Sequence, residues 1–267
     1  MRLFTHHIAL IATCLLAFIA TACQAESIED DEPPAIAPIC VDIELHAQAP
    51  IIAHRGYWTG NQRPANSLAA FEAALQLNIY GSECDIRQTA DGVLVVCHDV
   101  THDGLTISQS TYDELRQHPL ANGEPLPRLE ELIQTMKMSN SPVRLVLDIK
   151  ECDINQLLAM VEGYGVADRV LFIAFNRQYC NQLVRRGRGP QTFYLNGNMS
   201  PRQVKDAGYA GIDYSTTVLE THPQWIGEAA ALGLKTIVWT VNNKESIADY
   251  ISQGCIVTTD RPLYVEL

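Results

Sequence analysis

Residues 51–58 read I-I-A-H-R-G-Y-W, residues 64–67 read P-A-N-S, and residues 81–99 read G-S-E-C-D-I-R-Q-T-A-D-G-V-L-V-V-C-H-D. Ile51–Ala53 is an apolar run that ends abruptly at His54 and Arg55, as a buried strand does when it delivers polar side chains to a site. Ser82–Arg87 and Val93–Cys97 read as two further strands joined by the turn signal Ala90-Asp91-Gly92. Alternate residues of a strand share a face. Glu83 and Asp85 therefore point together, and Cys84 points the other way.

Beyond this stretch the chain alternates β-rich and helical runs. Ser67–Leu77 places Leu68, Phe71, Ala74 and Leu75 at helical spacing. Residues 100–127 interrupt the rhythm as an insertion rich in Gly, Pro and Asn. After it come helix Leu129–Met136, strand Val143–Lys150, helix Ile154–Val161, strand Val170–Phe175 and helix Gln178–Arg185. Strand Thr192–Leu195, helix Pro201–Ala207, strand Gly211–Tyr214, helix Pro223–Leu232, strand Thr236–Val241, helix Lys244–Ser252 and strand Ile256–Thr259 complete it. Gly187, Gly208, Gly233 and Gly254 stand near successive helix ends, where a capping glycine belongs. Sustained alternation means parallel strands with helical crossovers. About eight of them predict a closed (β/α)8 barrel over residues 48–267, of the length usual for that fold. An open doubly wound sheet is the alternative, but no G-x-G-x-x-G follows an early strand. His54, Asp85, His98, Asp148, Lys150 and Trp239 all fall late in their expected strands, the end at which barrels carry chemistry.

The residue types then specify a chemistry. Two carboxylates aimed into one barrel mouth repel unless a cation lies between them. Oxygen donors select a hard ion, one Mg²⁺ or Ca²⁺. Asp148 in V-L-D-I-K is a candidate third ligand, and Lys150 a candidate for a phosphate oxygen; a plain Asp–Lys ion pair is the structural alternative. His54 and His98 each close an apolar run and suit acid–base work. Arg55 offers a planar fork for phosphate. Asp99 either orients His98 or braces the insertion. His102, His118 and His222 read as ordinary polar residues.

The chain has 267 residues with a net charge of −12. That acidity argues against a nucleic-acid partner and requires any phosphate site to be positive locally. Arg2, the apolar run Ile8–Ile19 and Ala20-Thr21-Ala22 before Cys23 read as a signal peptide over 1–22. The run falls short of the about 20 apolar residues of a spanning helix. The small residues ending at a cysteine resemble a bacterial lipobox, with Ala20 where leucine is usual. This implies lipid on Cys23, a location in the bacterial cell envelope and membrane contact through the anchor alone; an ordinary A-x-A cut without lipid is the alternative. Residues 23–47, with Glu26, Glu29, Asp30, Asp31, Glu32, Pro33 and Pro34, read as a solvated tether. Of the eight cysteines, removal of Cys14 and lipidation of Cys23 leave six, without C-x-x-C spacing; no disulfide is assigned. Nothing in the sequence sets an oligomeric state.

The ordered set H-R-G, P-A-N-S, E-C-D, D-G, H-D and D-I-K resembles the glycerophosphodiester phosphodiesterases, whose pattern is H-R-G, P-E-N-[ST], E-x-D, D-G, H-D and E-x-K. The resemblance spans about residues 50–267 and implies a (β/α)8 barrel with an insertion after the second strand. It implies catalytic roles for His54 and His98, metal ligation by Glu83, Asp85 and Asp148, and substrate contacts from Arg55, Lys150 and Trp239. It also implies a small-molecule substrate, a glycerophosphodiester cleaved to glycerol 3-phosphate and an alcohol. The closing T-T-D-R-P fits the family ending. Asp148 stands where Glu is usual, and Ala65 replaces the Glu of P-E-N-[ST]. Two further readings stay open: a phospholipase-type enzyme acting on lipid head groups, and a non-catalytic lipoprotein that captures glycerophosphodiesters.

Overall fold

The computed structural model describes residues 48–264. The expected signal peptide, Cys23 and tether lie outside them. In chain order the elements are β1 (Ala49–Ala53), α1 (Leu68–Leu75), β2 (Ile79–Gln88), β3 (Leu94–Val96), β4 (Thr101–His102), β5 (Leu105–Thr106), α2 (Tyr112–Leu115) and α3 (Leu129–Met138). Next come β6 (Arg144–Glu151), α4 (Ile154–Gly163), β7 (Val170–Ala174), α5 (Arg177–Arg185), β8 (Thr192–Tyr194) and α6 (Pro201–Asp206). The last are β9 (Gly211–Ser215), α7 (Thr216–Thr221), α8 (Trp225–Ala231), β10 (Lys235–Trp239), α9 (Lys244–Ser252) and β11 (Ile256–Thr259).

Parallel pairing runs β1, β2, β6, β7, β8, β9, β10, β11 and back to β1, so the sheet closes on itself as the expected (β/α)8 barrel. Strand alternation sorts the side chains into two layers. Ile52, Val146, Leu171, Ile173, Phe193, Leu195, Ile237 and Ile256 fill the interior. Ile51, Cys84, Leu145, Leu147, Phe172, Ile212 and Val257 face outward and are buried under the helices. Truncating a residue such as Ile237, fully buried, costs about 2–5 kcal/mol through lost burial and a cavity.

The structure differs from the sequence reading at two places. β3 is not a barrel strand: it pairs antiparallel with the end of β2, through Ile86 with Val96 and Gln88 with Leu94. His98 therefore reaches the mouth from the bend just after this returning strand, and not from the end of a barrel strand. The segment after β9 holds a short helix, α7, that was not expected; Ser215 caps it by accepting from Val218 N–H at 3.3 Å.

The insertion has a small core of its own, Val95, Ile107, Leu115 and Leu126. Asp91 ties it to the β2–β3 turn by accepting from the Tyr112 N–H at 3.0 Å. His118 pairs with Asp103 and His102 with the His118 carbonyl, bracing the insertion's loops. Among the described residues Cys84, Cys97, Cys152, Cys180 and Cys255 are free thiols, and no helix is long and apolar enough to cross a membrane.

Candidate active site

The turn after β1 builds the first half of the site. Arg55 (φ 57°) and Asn66 (φ 63°) both occupy the left-handed region, which costs a side-chain-bearing residue about 1–3 kcal/mol and is kept where surroundings enforce it. This conformation aims the Arg55 N–H at Glu83 Oε2, 2.8 Å away, and its carbonyl accepts from the Asn66 N–H at 3.0 Å. Gly56 follows at φ 82°, and a Cβ there would sit 2.7 Å from the Ala70 carbonyl carbon; only glycine fits. Ser67 caps α1, accepting from Ala70 N–H at 3.0 Å.

Asn66 clamps Asp85 from two directions. Its Nδ2 donates to Asp85 Oδ2 at 2.7 Å, and its Oδ1 accepts from the Asp85 N–H at 3.2 Å. Asp85 also forms ion pairs with Arg55 Nε at 3.3 Å and Lys150 Nζ at 3.1 Å. Lys150 bonds Asp148 Oδ2 at 2.5 Å. Glu83, Asp85 and Asp148 are all buried, with one carboxylate oxygen from each lying within 4.8 Å of the others. Burial, then the charges of Asp85 and Asp148, push the Glu83 carboxyl well above the usual carboxylate range. Burial raises Asp148 too, against the pull of Lys150. Burial opposes the Lys150 charge, but Asp148 and Asp85 outweigh it and hold the ammonium above the ordinary lysine range. Asp148 Oδ1 is buried with no hydrogen-bond partner. Three clustered carboxylates, one with an unsatisfied oxygen, are a donor set that fits a hard divalent cation.

Both histidines carry an aspartate on Nδ1. His54 Nδ1 lies 2.7 Å from Asp260 Oδ1, and His98 Nδ1 lies 2.8 Å from Asp99 Oδ1. An ionised carboxylate only accepts, so each Nδ1 carries the hydrogen and each Nε2 is left as the basic nitrogen. Asp260 is held in turn by Asn242 Nδ2 at 2.7 Å and Trp58 Nε1 at 3.3 Å. Burial would raise the Asp260 carboxyl, but the hydrogen bonds from His54, Asn242 and Trp58 win and hold it below the ordinary aspartate value. The His98 bond likewise lowers Asp99. Arg87 fixes the returning strand with Nε and Nη2 on the His98 carbonyl at 3.1 and 2.9 Å.

His54, Arg55, Glu83, Asp85, His98, Asp148, Lys150 and Trp239, the residues singled out from the sequence, all line one cleft of about 300 Å³ at the C-terminal end of the barrel. Trp239 meets Phe175 edge to face at 5.8 Å and forms an aromatic wall. Two residues escaped the sequence reading. Asp260 lies in T-T-D-R-P, a segment noted there without a role. Asp213 lies in G-I-D-Y-S on β9; an acid in an otherwise apolar barrel strand was the signal available.

A family model for the glycerophosphoryl diester phosphodiesterase family matches residues 54–263. The chain belongs to this family. A solved glycerophosphodiester phosphodiesterase from Parabacteroides distasonis is 36% identical, with a TM-score of 0.76, over 81% of this chain and 94% of that one. A curated glycerophosphodiester phosphodiesterase from Caldanaerobacter subterraneus subsp. tengcongensis is 25% identical over 241 residues, 81% of this chain and 96% of that protein. A phosphodiesterase from Oleispira antarctica, solved in complex with the product sn-glycerol-3-phosphate, shares the fold at 24% identity and a TM-score of 0.68, over 79% of this chain and 93% of that one. Family and fold are thus those expected from the sequence: a phosphoric diester hydrolase on a (β/α)8 barrel.

Proposed function

We propose that this member of the glycerophosphoryl diester phosphodiesterase family hydrolyses glycerophosphodiesters to glycerol 3-phosphate and an alcohol, with His54 and His98 as the acid–base pair. The observation that carries this reading is the matched pair of aspartate-braced imidazoles, both lining the cleft that holds the acid cluster. Two imidazoles with the same hydrogen-bonded Nδ1 can exchange protons through Nε2 in opposite senses. One takes a proton from the attacking oxygen, either water or the substrate's own 2-hydroxyl. The other gives one to the departing alkoxide.

Glu83, Asp85 and Asp148 would hold one divalent cation, Mg²⁺ or Ca²⁺, and such an ion when bound neutralises phosphate charge. Lys150, kept charged by its two acidic neighbours, and the Arg55 guanidinium add positive charge for the phosphate oxygens in an otherwise acidic protein. Trp239 and Phe175 give the cleft an apolar wall for the carbon frame of the substrate.

Turnover of glycerophosphocholine, glycerophosphoethanolamine and glycerophosphoinositol, with and without chelator, tests the proposal. His54→Ala and His98→Ala should each lower kcat by a factor on the order of 10² to 10⁴, the range of a lost general acid or base. Full activity in both variants would overturn the mechanism, and no turnover of any glycerophosphodiester by the wild type would overturn the function.

We also propose that Cys23 is lipidated and that the enzyme works in the bacterial cell envelope. The small residues preceding Cys23 and the acidic, proline-containing stretch after it support this. Incorporation of labelled palmitate into the wild type and its loss in Cys23→Ser is the test.

A further inference from the structure

One carboxylate in the cleft has no part in the proposed chemistry. Asp213 is 1% exposed, its Oδ1 has no hydrogen-bond partner, and it lines the same cleft as the acid cluster. A buried polar atom without a partner costs stability and calls for an explanation. The backbone forces the placement. Gly211, two residues earlier on the same face, packs so tightly that a Cβ there would lie 2.0 Å from the Lys235 carbonyl oxygen. The Asp213 carbonyl is fixed by Trp239 Nε1 at 3.0 Å. The peptide is satisfied and anchored, while the carboxyl is left open.

Position in the ring says what could meet it. Passing from β2 through β6, β7 and β8 to β9 takes four steps, and so does passing through β1, β11 and β10. Asp213 therefore stands across the barrel from Glu83 and Asp85, and it is not one of the residues of the acid cluster. Apart from the acid cluster, whose Asp148 charge reaches it, and the hydroxyls of Thr240 and Thr258, the cleft it lines is walled by Ile173, Phe175, Leu195 and Trp239, which offer no side-chain oxygen to an ion that needs about six to eight ligands. A carboxyl set among apolar side chains suits a hydroxyl on a carbon frame. A hydroxyl both donates and accepts, so it satisfies a carboxyl in either protonation state.

We propose that Asp213 is a specificity-determining residue that hydrogen-bonds the terminal hydroxyl of the glycerol moiety, with the phosphate at the acid cluster across the barrel. The proposal rests on the glycerophosphodiesterase reading and assigns the end of the substrate that goes deepest. His98, with 43% of its side chain exposed, lies on the open side, whereas Asp213 is closed to solvent, as the acid cluster is.

The test uses Asp213→Leu and Asp213→Asn in the full-length enzyme. The substrates are glycerophosphocholine, its analogue with propane-1,2-diol in place of glycerol, and bis(p-nitrophenyl) phosphate. In Asp213→Leu the ratio of kcat/KM for glycerophosphocholine to that for bis(p-nitrophenyl) phosphate should fall about 3- to 100-fold, chiefly through KM, as for a lost hydrogen bond to a buried carboxyl. The wild type should lose a similar factor with the propanediol analogue, and Asp213→Leu should lose no more with it. Asp213→Asn, which keeps a bonding group of the same shape, should recover part of the loss. Tm of Asp213→Leu should be no lower than that of the wild type, because an orphaned carboxyl has been removed. An equal loss on all three substrates, loss of bound Ca²⁺ from Asp213→Leu, or an unchanged selectivity ratio would overturn the proposal. Wild-type turnover of glycerophosphocholine tests the parent reading separately: cleavage of bis(p-nitrophenyl) phosphate without cleavage of any glycerophosphodiester would overturn both.

Discussion

Nδ1 of His54 lies 2.7 Å from Oδ1 of Asp260, a residue 206 positions further along the chain. The contact joins the first and last strands of the barrel, β1 and β11, which pair in parallel. It fixes the tautomer of an imidazole that lines the cleft. Replacing Asp260 by Asn keeps the shape but allows the amide to donate to Nδ1, which places the hydrogen on Nε2 and removes the basic nitrogen. The Asp260→Asn variant should lose about 10²- to 10⁴-fold in kcat, as wrong-tautomer variants of His–Asp pairs do, with little change in KM. Steady-state kinetics on glycerophosphocholine checks this. The pH dependence has a definite sign. The Asp260 carboxyl is held below its ordinary value, so its contribution to stability is present above the unfolded carboxylate pKa of about 4 and is lost as pH falls through the lower folded value. The Tm difference between wild type and Asp260→Asn should be present at neutral pH and vanish in strong acid.

The acid cluster makes a second expectation measurable without an activity assay. Glu83, Asp85 and Asp148 are buried together, and mutual repulsion adds to burial in raising the Glu83 carboxyl. A cation that binds only the folded state stabilises it by about 2.7 kcal/mol at a hundred times its Kd. Mg²⁺ or Ca²⁺ should therefore raise Tm in a concentration-dependent way, and EDTA should reverse the rise. Glu83→Gln and Asp148→Asn should weaken the response while leaving the cation-free Tm equal or higher, since each removes one of the repelling charges. Differential scanning fluorimetry across a cation titration decides it, and a flat Tm in the wild type would count against the site.

Asn66 supports Asp85 through two hydrogen bonds and is itself held in a left-handed conformation. Asn66→Ala removes both bonds, leaves Asp85 poorly satisfied and keeps the backbone strain. A loss of about 1–3 kcal/mol in stability is expected for an unsatisfied buried partner. Asn66→Gly, which relieves the strain and loses the same bonds, should lose less. Urea unfolding midpoints of the two variants separate backbone strain from the clamp.

How far the sequence reached follows from what sets each feature. The pairing of Glu83 with Asp85, and the outward turn of Cys84, depend only on strand parity, so local sequence was enough. The helix α9 and the strand β11 matched their expected limits because flanking polar and glycine residues mark both ends. The sequence allows Asp99 two roles, orienting His98 or bracing the insertion, and its 2.8 Å contact with His98 matches the first. Asp260 and Asp213 could not be assigned roles because each depends on which strand lies beside or across from it, a property of the closed ring. The short turn Ala90-Asp91-Gly92 already limits Val93–Cys97 to an antiparallel return from β2; what its composition, that of any buried strand, does not show is that it lies outside the closed ring, on the overhanging end of β2.

The thiols provide the last expectation. Cys152 and Cys180 are buried in the layer between barrel and helices, and burial pushes both up to about 12. Burial pushes Cys255 up to about 11, and it raises Cys84 strongly, with the charges of Glu83, Asp85 and Asp148 adding to it. At pH 8 the thiolate fraction of a group near 12 is on the order of one in ten thousand, and the thiolate is the reactive form. Iodoacetamide should leave Cys84, Cys152, Cys180 and Cys255 unmodified in the native protein and label all four in urea. Cys97, partly exposed beside His98, should be the first of the five to react. Peptide mass spectrometry after timed labelling reads the order. Rapid native modification of Cys180, which is completely buried beneath α5 and beside the carbonyls of Ala174 and Phe193, would mean that the helix layer opens readily, contrary to the packing.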